Sequence, residues 1–288
     1  MIVTKIISGL GNQMFQYAAG LALAMRHGVP LRLDTDFYGT QTLRRFELDR
    51  LNISAPLISS VDRYRIRLSH PNPGGTLRGA ARLIPIGKFQ LFTDRVCGVD
   101  PRFGSLPPNT YLDGYWQNEG YFKQISDDIR MEFAFRLPPD APNAAMLETI
   151  RAAGNAVSVH VRRGDYLSGT EPLGPCPLKY YEDGLRWMQG RVPAAKYFIF
   201  SDDPDWTSAN LPVPAGSTFV THNTGKNDPE DLRLMAACNH FIIANSTFSW
   251  WGAWLSTSPG KCVVAPKRWF KDAHGNEDQI VPAEWTRL

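Results

Sequence analysis

The chain runs in short apolar stretches, each ending in a polar cluster. "MIVTKIIS" (1–8) is β-branched and reads as a strand. "QMFQYAAGLALAMRHG" (13–28) is apolar at helical spacing and closes on Gly28, in the position of a C-terminal cap. "VPLRLDTDF" (29–37) reads as a second strand ending in acidic residues. Strand, helix and strand at this spacing make a βαβ unit, hence a parallel sheet. Residues 38–110 show no clear period. "YLDGYWQNEGYF" (111–122) predicts another strand, running into a polar, aromatic turn. "LPPDAPNAA" (137–145) is rich in Pro and Ala and predicts a linker, which places domains at 1–145 and 146–288.

The second half repeats one pattern three times. "AVSVHV" ends in "RRGDY", "KYFIF" in "SDDPDW", and "HFIIA" in "NSTFSWWGAWL". Each is a short apolar strand entering a polar cluster. Open α/β sheets bind ligands outside the carboxyl ends of their strands. These three ends, with "SGLGNQ" (8–13) in the first half, are therefore the candidate ligand-binding segments.

Each segment admits a chemical and a structural reading. In "SGLGNQ", Gly9 and Gly11 permit positive φ and close approach of a ligand to the backbone, and Gln13 lies beside them. The third glycine of a dinucleotide fingerprint is missing, and a plain tight turn remains open. In "HVRRGDY" (160–166), planar guanidinium forks suit phosphate oxygens, whereas Asp165 offers an internal ion pair. Strand alternation puts His160 and Arg162 on one face and Arg163 on the other, with Arg163 expected to pair with Asp165 or a neighbouring element. In "FSDD" (200–203), Ser201, Asp202 and Asp203 fit a metal–diphosphate site, acceptance of N–H bonds from guanine, or a helix cap. Ser246 and Thr247, with the backbone at Phe248, would form a phosphate cradle next to Asn245. Trp250, Trp251 and Trp254 read as core.

Composition narrows the classes. The 288 residues carry a formal net charge of +3 and are 43% hydrophobic, enough for real cores and far from a nucleic-acid binder. Cys97, Cys176, Cys238 and Cys262 are scattered, without zinc or disulfide spacing. His27, His70, His222, His240 and His274 lack ligand spacing, so no metal site is expected. No apolar run reaches the roughly 18 residues of a membrane span, and the expected location is cytoplasmic. Residues 63–93 hold Arg63, Arg65, Arg67, Arg78, Arg82 and Lys88 without an acidic residue. That segment is a candidate peripheral contact with the inner membrane face, or simply a solvated surface.

Together, "GLGNQMFQYAAG" (9–20), "GYWQ" (114–117), the HxRRxD pattern at 160–165, "FSDD" (200–203) and "NSTFSWWGAWL" (245–255) resemble glycosyltransferase family 11, the bacterial-type α-1,2-fucosyltransferases. The resemblance implies an α/β fold of GT-B type, two Rossmann-like domains with a cleft between them. It implies an N-terminal acceptor side and a C-terminal GDP-fucose side. It further implies inverting transfer of L-fucose from GDP-β-L-fucose to the 2-hydroxyl of a terminal galactose of a glycan, with neither cofactor nor metal. Arg162, Asn12 and His160 are then the catalytic candidates, with Arg162 on the donor diphosphate and Asn12 orienting the acceptor. Asp113, Asp34 and Asp36 are candidate bases. A metal-dependent nucleotide-sugar transferase and a non-catalytic GDP-sugar or glycan-binding protein are the alternatives.

Overall fold

A computed structural model describes residues 1–69, 89–94, 98–168, 173–271 and 279–288. The chain divides into two compact units, Met1–Ala134 and Phe135–Leu288. The division falls ahead of the expected 145/146 boundary. The stretch read as a linker is mostly the helix α4, Ala141–Ala152. Its Asp140 is an N-cap that accepts from the Asn143 N–H, and a proline sits in the first turn. The residues that looked like a linker are thus helix-start signals.

The first unit holds a sheet of order β2-β1-β4-β3, with all pairings parallel. Its strands are β1 (Ile2–Lys5), β2 (Leu31–Asp34), β3 (Gln90–Thr93) and β4 (Thr110–Asp113). α1 (Leu10–His27) crosses from β1 to β2 and ends, as expected, on Gly28 in the left-handed region at φ 60°. It lies tight on the sheet: a Cβ at Gly20 would stand 3.0 Å from Leu31 and 3.1 Å from Thr4. In α2 (Ser60–Ser69), Arg63 pairs with Asp36 and Asp34, and Arg65 with Asp62; α3 (Ser126–Glu132) follows β4. Most of the basic stretch, including Arg78, Arg82 and Lys88, lies outside the described residues, as do His70, His274 and Cys97. Among the described residues no helix is long and apolar enough to cross a membrane.

The second unit holds a sheet of order β10-β9-β8-β5-β6-β7, again parallel throughout. β5 (Ala156–Val161) is buried along its whole length, between β6 (Lys196–Ser201) and β8 (His240–Ile242). β7 (Thr218–Val220), β9 (Val263–Ala265) and β10 (Thr286–Arg287) complete it. α5 (Leu178–Gln189) packs on β8, and α7 (Pro229–Ala236) packs on α8 (Thr247–Leu255). α8 is apolar because it is core. Trp250 and Trp251 are fully buried, and the Trp250 indole donates to the Ile280 carbonyl at 2.9 Å.

A buried amide joins three parts of this unit. Asn143 in α4 donates to Asn223 in the loop after β7 and accepts from His222 or Asn223. Asn223 in turn donates to Asp231 in α7 at 2.8 Å. Burial outweighs that bond and pushes the Asp231 carboxyl up to about 7. Below the ordinary carboxyl pKa both folded and unfolded states hold the proton. As pH rises towards 7 the unfolded chain releases it first, so stability falls through that window. Asp231→Asn keeps an oxygen for Asn223 and cannot ionise. It should raise Tm at pH 8 by several degrees, on the order of 1–3 kcal/mol, with little change at pH 4. Thermal melts of both proteins at both pH values measure this; an equal shift at each pH would contradict the assignment.

Candidate active site

The parallel pairing of β5 with β6 and β8 sets their carboxyl ends side by side. After β8, Asn245 is buried and its amide is held by the fold. It donates to the Gly174 and Trp269 carbonyls, both at 2.9 Å, and accepts from the Cys176 thiol. The amide ties the loops of Gly174 and Trp269 together. Ser246 is the N-cap of α8, with extended backbone and no side-chain cap bond, and the first turn has no acidic residue. Thr247 and Phe248 open the helix. This N-terminus combines partial positive charge with hydroxyls, the requirement for holding an anion.

The strand β5 stops at Val161, so Arg162 and Arg163 lie beyond its alternation. Arg162 pairs with Asp165 at 2.9 Å and with Asp202 at 3.2 Å. Burial works to lower its pKa, but these two carboxylates outweigh burial and hold the guanidinium above its ordinary value. Asp165 therefore partners Arg162, not Arg163 as expected. Arg163 pairs with Asp203 at 3.2 Å and lies over the Trp206 ring, 3.5 Å from its centroid. The neighbouring-element reading of Arg163 is the one found.

Asp202 and Asp203 have separate tasks. Asp202 accepts from the backbone N–H groups of Arg163 (2.8 Å) and Gly164 (3.0 Å). The fit requires glycine, since a Cβ at Gly164 would lie 2.6 Å from the Asp202 carboxylate. Asp203 caps α6 (Pro204–Asn210) by accepting from Trp206, and its own N–H donates to Ser201. Among the described residues no group of three or more His, Cys, Asp or Glu is placed to hold a metal ion.

His160 is buried, its ring 6.0 Å from Phe248. Its Nδ1 has no partner among the described residues. Burial first, and Arg162 second, push its pKa to about 3. It therefore stays neutral near pH 7, a buried ring beside Phe248.

In the first unit the positive φ that Gly9 and Gly11 would permit falls elsewhere. Gly9 is an extended N-cap and Gly11 lies inside α1, while Ser8 takes φ 68°. The strained Ser8 is held from several sides. Its carbonyl accepts from Gln13 (3.0 Å) and Tyr38 (2.8 Å), and its hydroxyl accepts from Asn12 (3.0 Å). Gln13 also bridges to the Arg45 carbonyl and the Glu47 N–H, so its amide serves the loop. Asp113 pairs with Lys5 at 3.1 Å, and Asp34 accepts from Tyr111. Trp116 is a second strained residue, at φ 55°, its ring fully buried and stacked on Phe92. Such positions cost about 1–3 kcal/mol each and persist where packing over-determines them.

Sequence reasoning placed Arg162, Ser246 and Thr247 at adjacent strand ends. It missed Trp206 beneath Arg163 and Gln117, which donates to Asn12 at 2.8 Å. "GYWQ" carried the signal for Gln117 without a role; nothing in the sequence marks Trp206.

The model of the family "Glycosyl transferase family 11" matches residues 94–288. An α-1,2-colitosyltransferase of Escherichia coli is 34% identical, covering 100% of this chain and 99% of its own. The chain belongs to glycosyltransferase family 11. Another E. coli relative of this family 11 glycosyltransferase, the O-antigen biosynthesis glycosyltransferase WbnK, is 32% identical over 97% of this chain and 98% of its own. A galactoside α-(1,2)-fucosyltransferase 2 of Oryctolagus cuniculus is 24% identical over 86% of this chain and 64% of its own. The fold is of GT-B type. A mutant of Arabidopsis thaliana FUT1 solved with GDP superposes with TM-score 0.52 at 11% identity, covering 94% of this chain and 71% of that one. The α-1,6-fucosyltransferase NodZ co-crystallised with GDP gives 0.50 at 16% identity, covering 87% and 90%.

In the family 11 enzyme Arg163 is held by an ion pair to Asp203 and by a stack on Trp206 that needs the planar guanidinium. Arg163→Lys should lower Tm by a few degrees, on the order of 1–2 kcal/mol. Trp206→Leu should cost a similar amount, and adding it to Arg163→Lys should cost little more. Full additivity in a double-mutant cycle would show that the two side chains do not act together.

Proposed function

We propose that this glycosyltransferase moves L-fucose from GDP-β-L-fucose to the 2-hydroxyl of a terminal galactose, with inversion and without a divalent metal. The observation that carries the reading is Arg162 at the end of β5 beside β8, whose own carboxyl end leads to the uncapped start of α8. A leaving GDP gains negative charge on its β-phosphate as the bond from C1 breaks. A fixed guanidinium and helix-start N–H groups stabilise that charge as it develops. The second unit would hold the donor and the first the acceptor. The acceptor hydroxyl oxygen forms the new bond to C1 on the opposite face, GDP departs with the electron pair of the old bond, and the hydroxyl proton is released. A β-linked donor then yields an α-linked product.

Metal independence draws support from the acids. Asp202 and Asp203 already accept from three backbone N–H groups and both guanidiniums, and so act as supports for Arg162 and Arg163. A second reading of the donor, GDP-colitose in place of GDP-fucose, draws on the 34% identical relative. Colitose lacks the 3-hydroxyl of fucose, so the two donors differ by one hydrogen-bonding group.

Incubation with each GDP-sugar and a galactose-terminated acceptor such as lactose tests the reading, with linkage analysis of the product. Transfer to the 2-hydroxyl with little change in EDTA is expected. Loss of activity in EDTA restored by manganese would refute the metal-free part, and GDP binding without transfer would make this a binding protein. Arg162→Lys keeps the charge and loses the fork. It should fold and bind GDP, yet lose turnover on the order of a few hundredfold, by about 3–4 kcal/mol. Near-normal turnover in that variant would remove Arg162 from the transition state.

A further inference from the structure

β1 and β4 are parallel neighbours, with Thr4 opposite Leu112. The turns that follow them leave the same edge of the sheet, and this brings Asn12 at the start of α1 to Gln117. The Gln117 Nε2 donates to the Asn12 Oδ1 at 2.8 Å, and the Asn12 Nδ2 donates to the Ser8 hydroxyl at 3.0 Å. An amide has one carbonyl oxygen and two N–H groups. In this arrangement the Asn12 carbonyl faces Gln117, and its second N–H and the Ser8 O–H are left available at a half-buried position.

Gln117 is itself held firmly. It follows Trp116, whose ring is locked in the core against Phe92, Phe103 and Tyr121. The Trp116 N–H donates to Asp94 at 2.9 Å, and its carbonyl accepts from Asn118 at 2.7 Å. Gly114 allows this close approach, since a Cβ there would stand 2.2 Å from the Asp94 side chain. The turn after β4 is thus pinned on both sides of Gln117, and the reach to Asn12 follows.

We infer that Gln117 is a positioning residue for the acceptor. It holds the Asn12 amide so that Asn12 presents N–H, not C=O, to the oxygen of the incoming hydroxyl. The inference rests on the acceptor being held by the first unit, as proposed above. Donor binding and bond cleavage from GDP do not depend on it.

Gln117→Glu is the test, because it keeps shape and reverses polarity. A carboxylate only accepts, so Asn12 must turn its NH2 towards residue 117 and its C=O towards Ser8, whose O–H then donates in place of accepting. Transfer measured as kcat/KM for the acceptor should fall about 10–100-fold, the scale of a misplaced reacting group. Hydrolysis of the GDP-sugar without acceptor, and GDP affinity, should stay within about twofold. A protonated Glu donates as Gln does, so the deficit against wild type should shrink as pH falls from 8 towards 5. Gln117→Met, which can neither donate nor accept strongly, should show the transfer loss without that pH dependence, and it provides the test if the glutamate variant folds poorly. Equal loss of transfer and hydrolysis, or unimpaired transfer, overturns the inference while leaving the proposed function standing. Failure of the wild-type protein to transfer from any GDP-sugar overturns both.

Discussion

A guanidinium placed where water is scarce must find carboxylates, and Arg162 organises the second unit's site around that need. The register of β5 against β6 sets Val161 opposite Ser201, so the residues that follow each strand meet. Asp202 then does two things at once. It neutralises Arg162 and fastens the backbone of Arg163 and Gly164. Removing that carboxylate would free the guanidinium and the turn together. The pairing is a means of pre-organisation, because a long flexible side chain tethered by two acids has little rotamer freedom left to lose.

The first unit uses backbone strain for a similar end. Ser8 and Trp116 both occupy the left-handed region, and neither is glycine. In each case the side chain is the reason. The Ser8 hydroxyl meets Asn12, and the Trp116 indole anchors a turn in the aromatic core. A glycine would relieve the strain and forfeit the contact. The two units thus reach fixed geometry by different routes, one electrostatic and one steric.

Much of this was legible in the chain. β1, β5, β6 and β8 announce themselves as apolar runs, and the polar residues after them belong to the carboxyl edges of parallel sheets. β3 was not legible, since an edge strand with an exposed Leu91 has no clear pattern. β9 and β10 are too short to carry one. The start of α4 resembles a linker because Pro, Asp and Asn serve loops and helix starts alike. At the site, the residue types were visible but the pairings were not. Whether Asp165 serves Arg162 or Arg163 depends on where β5 ends, and element ends are the least readable feature of a sequence. The burial that keeps His160 neutral depends on Phe248 and the whole second sheet, which no local pattern encodes.

The wholly parallel pairing of the described strands bears on how the chain assembles. A parallel strand pair cannot close through a hairpin, so every ladder must wait for a crossover of a dozen or more residues. β5 meets β8 only after some eighty residues of chain have been laid down between them, as Val157 opposite His240 shows. Non-local ladders of this kind make folding slow and leave apolar strands uncovered for longer. The division into two contiguous units, Met1–Ala134 and Phe135–Leu288, limits that exposure. Each sheet draws only on its own stretch of chain, so the first can be complete on a translating ribosome before the strands of the second have emerged.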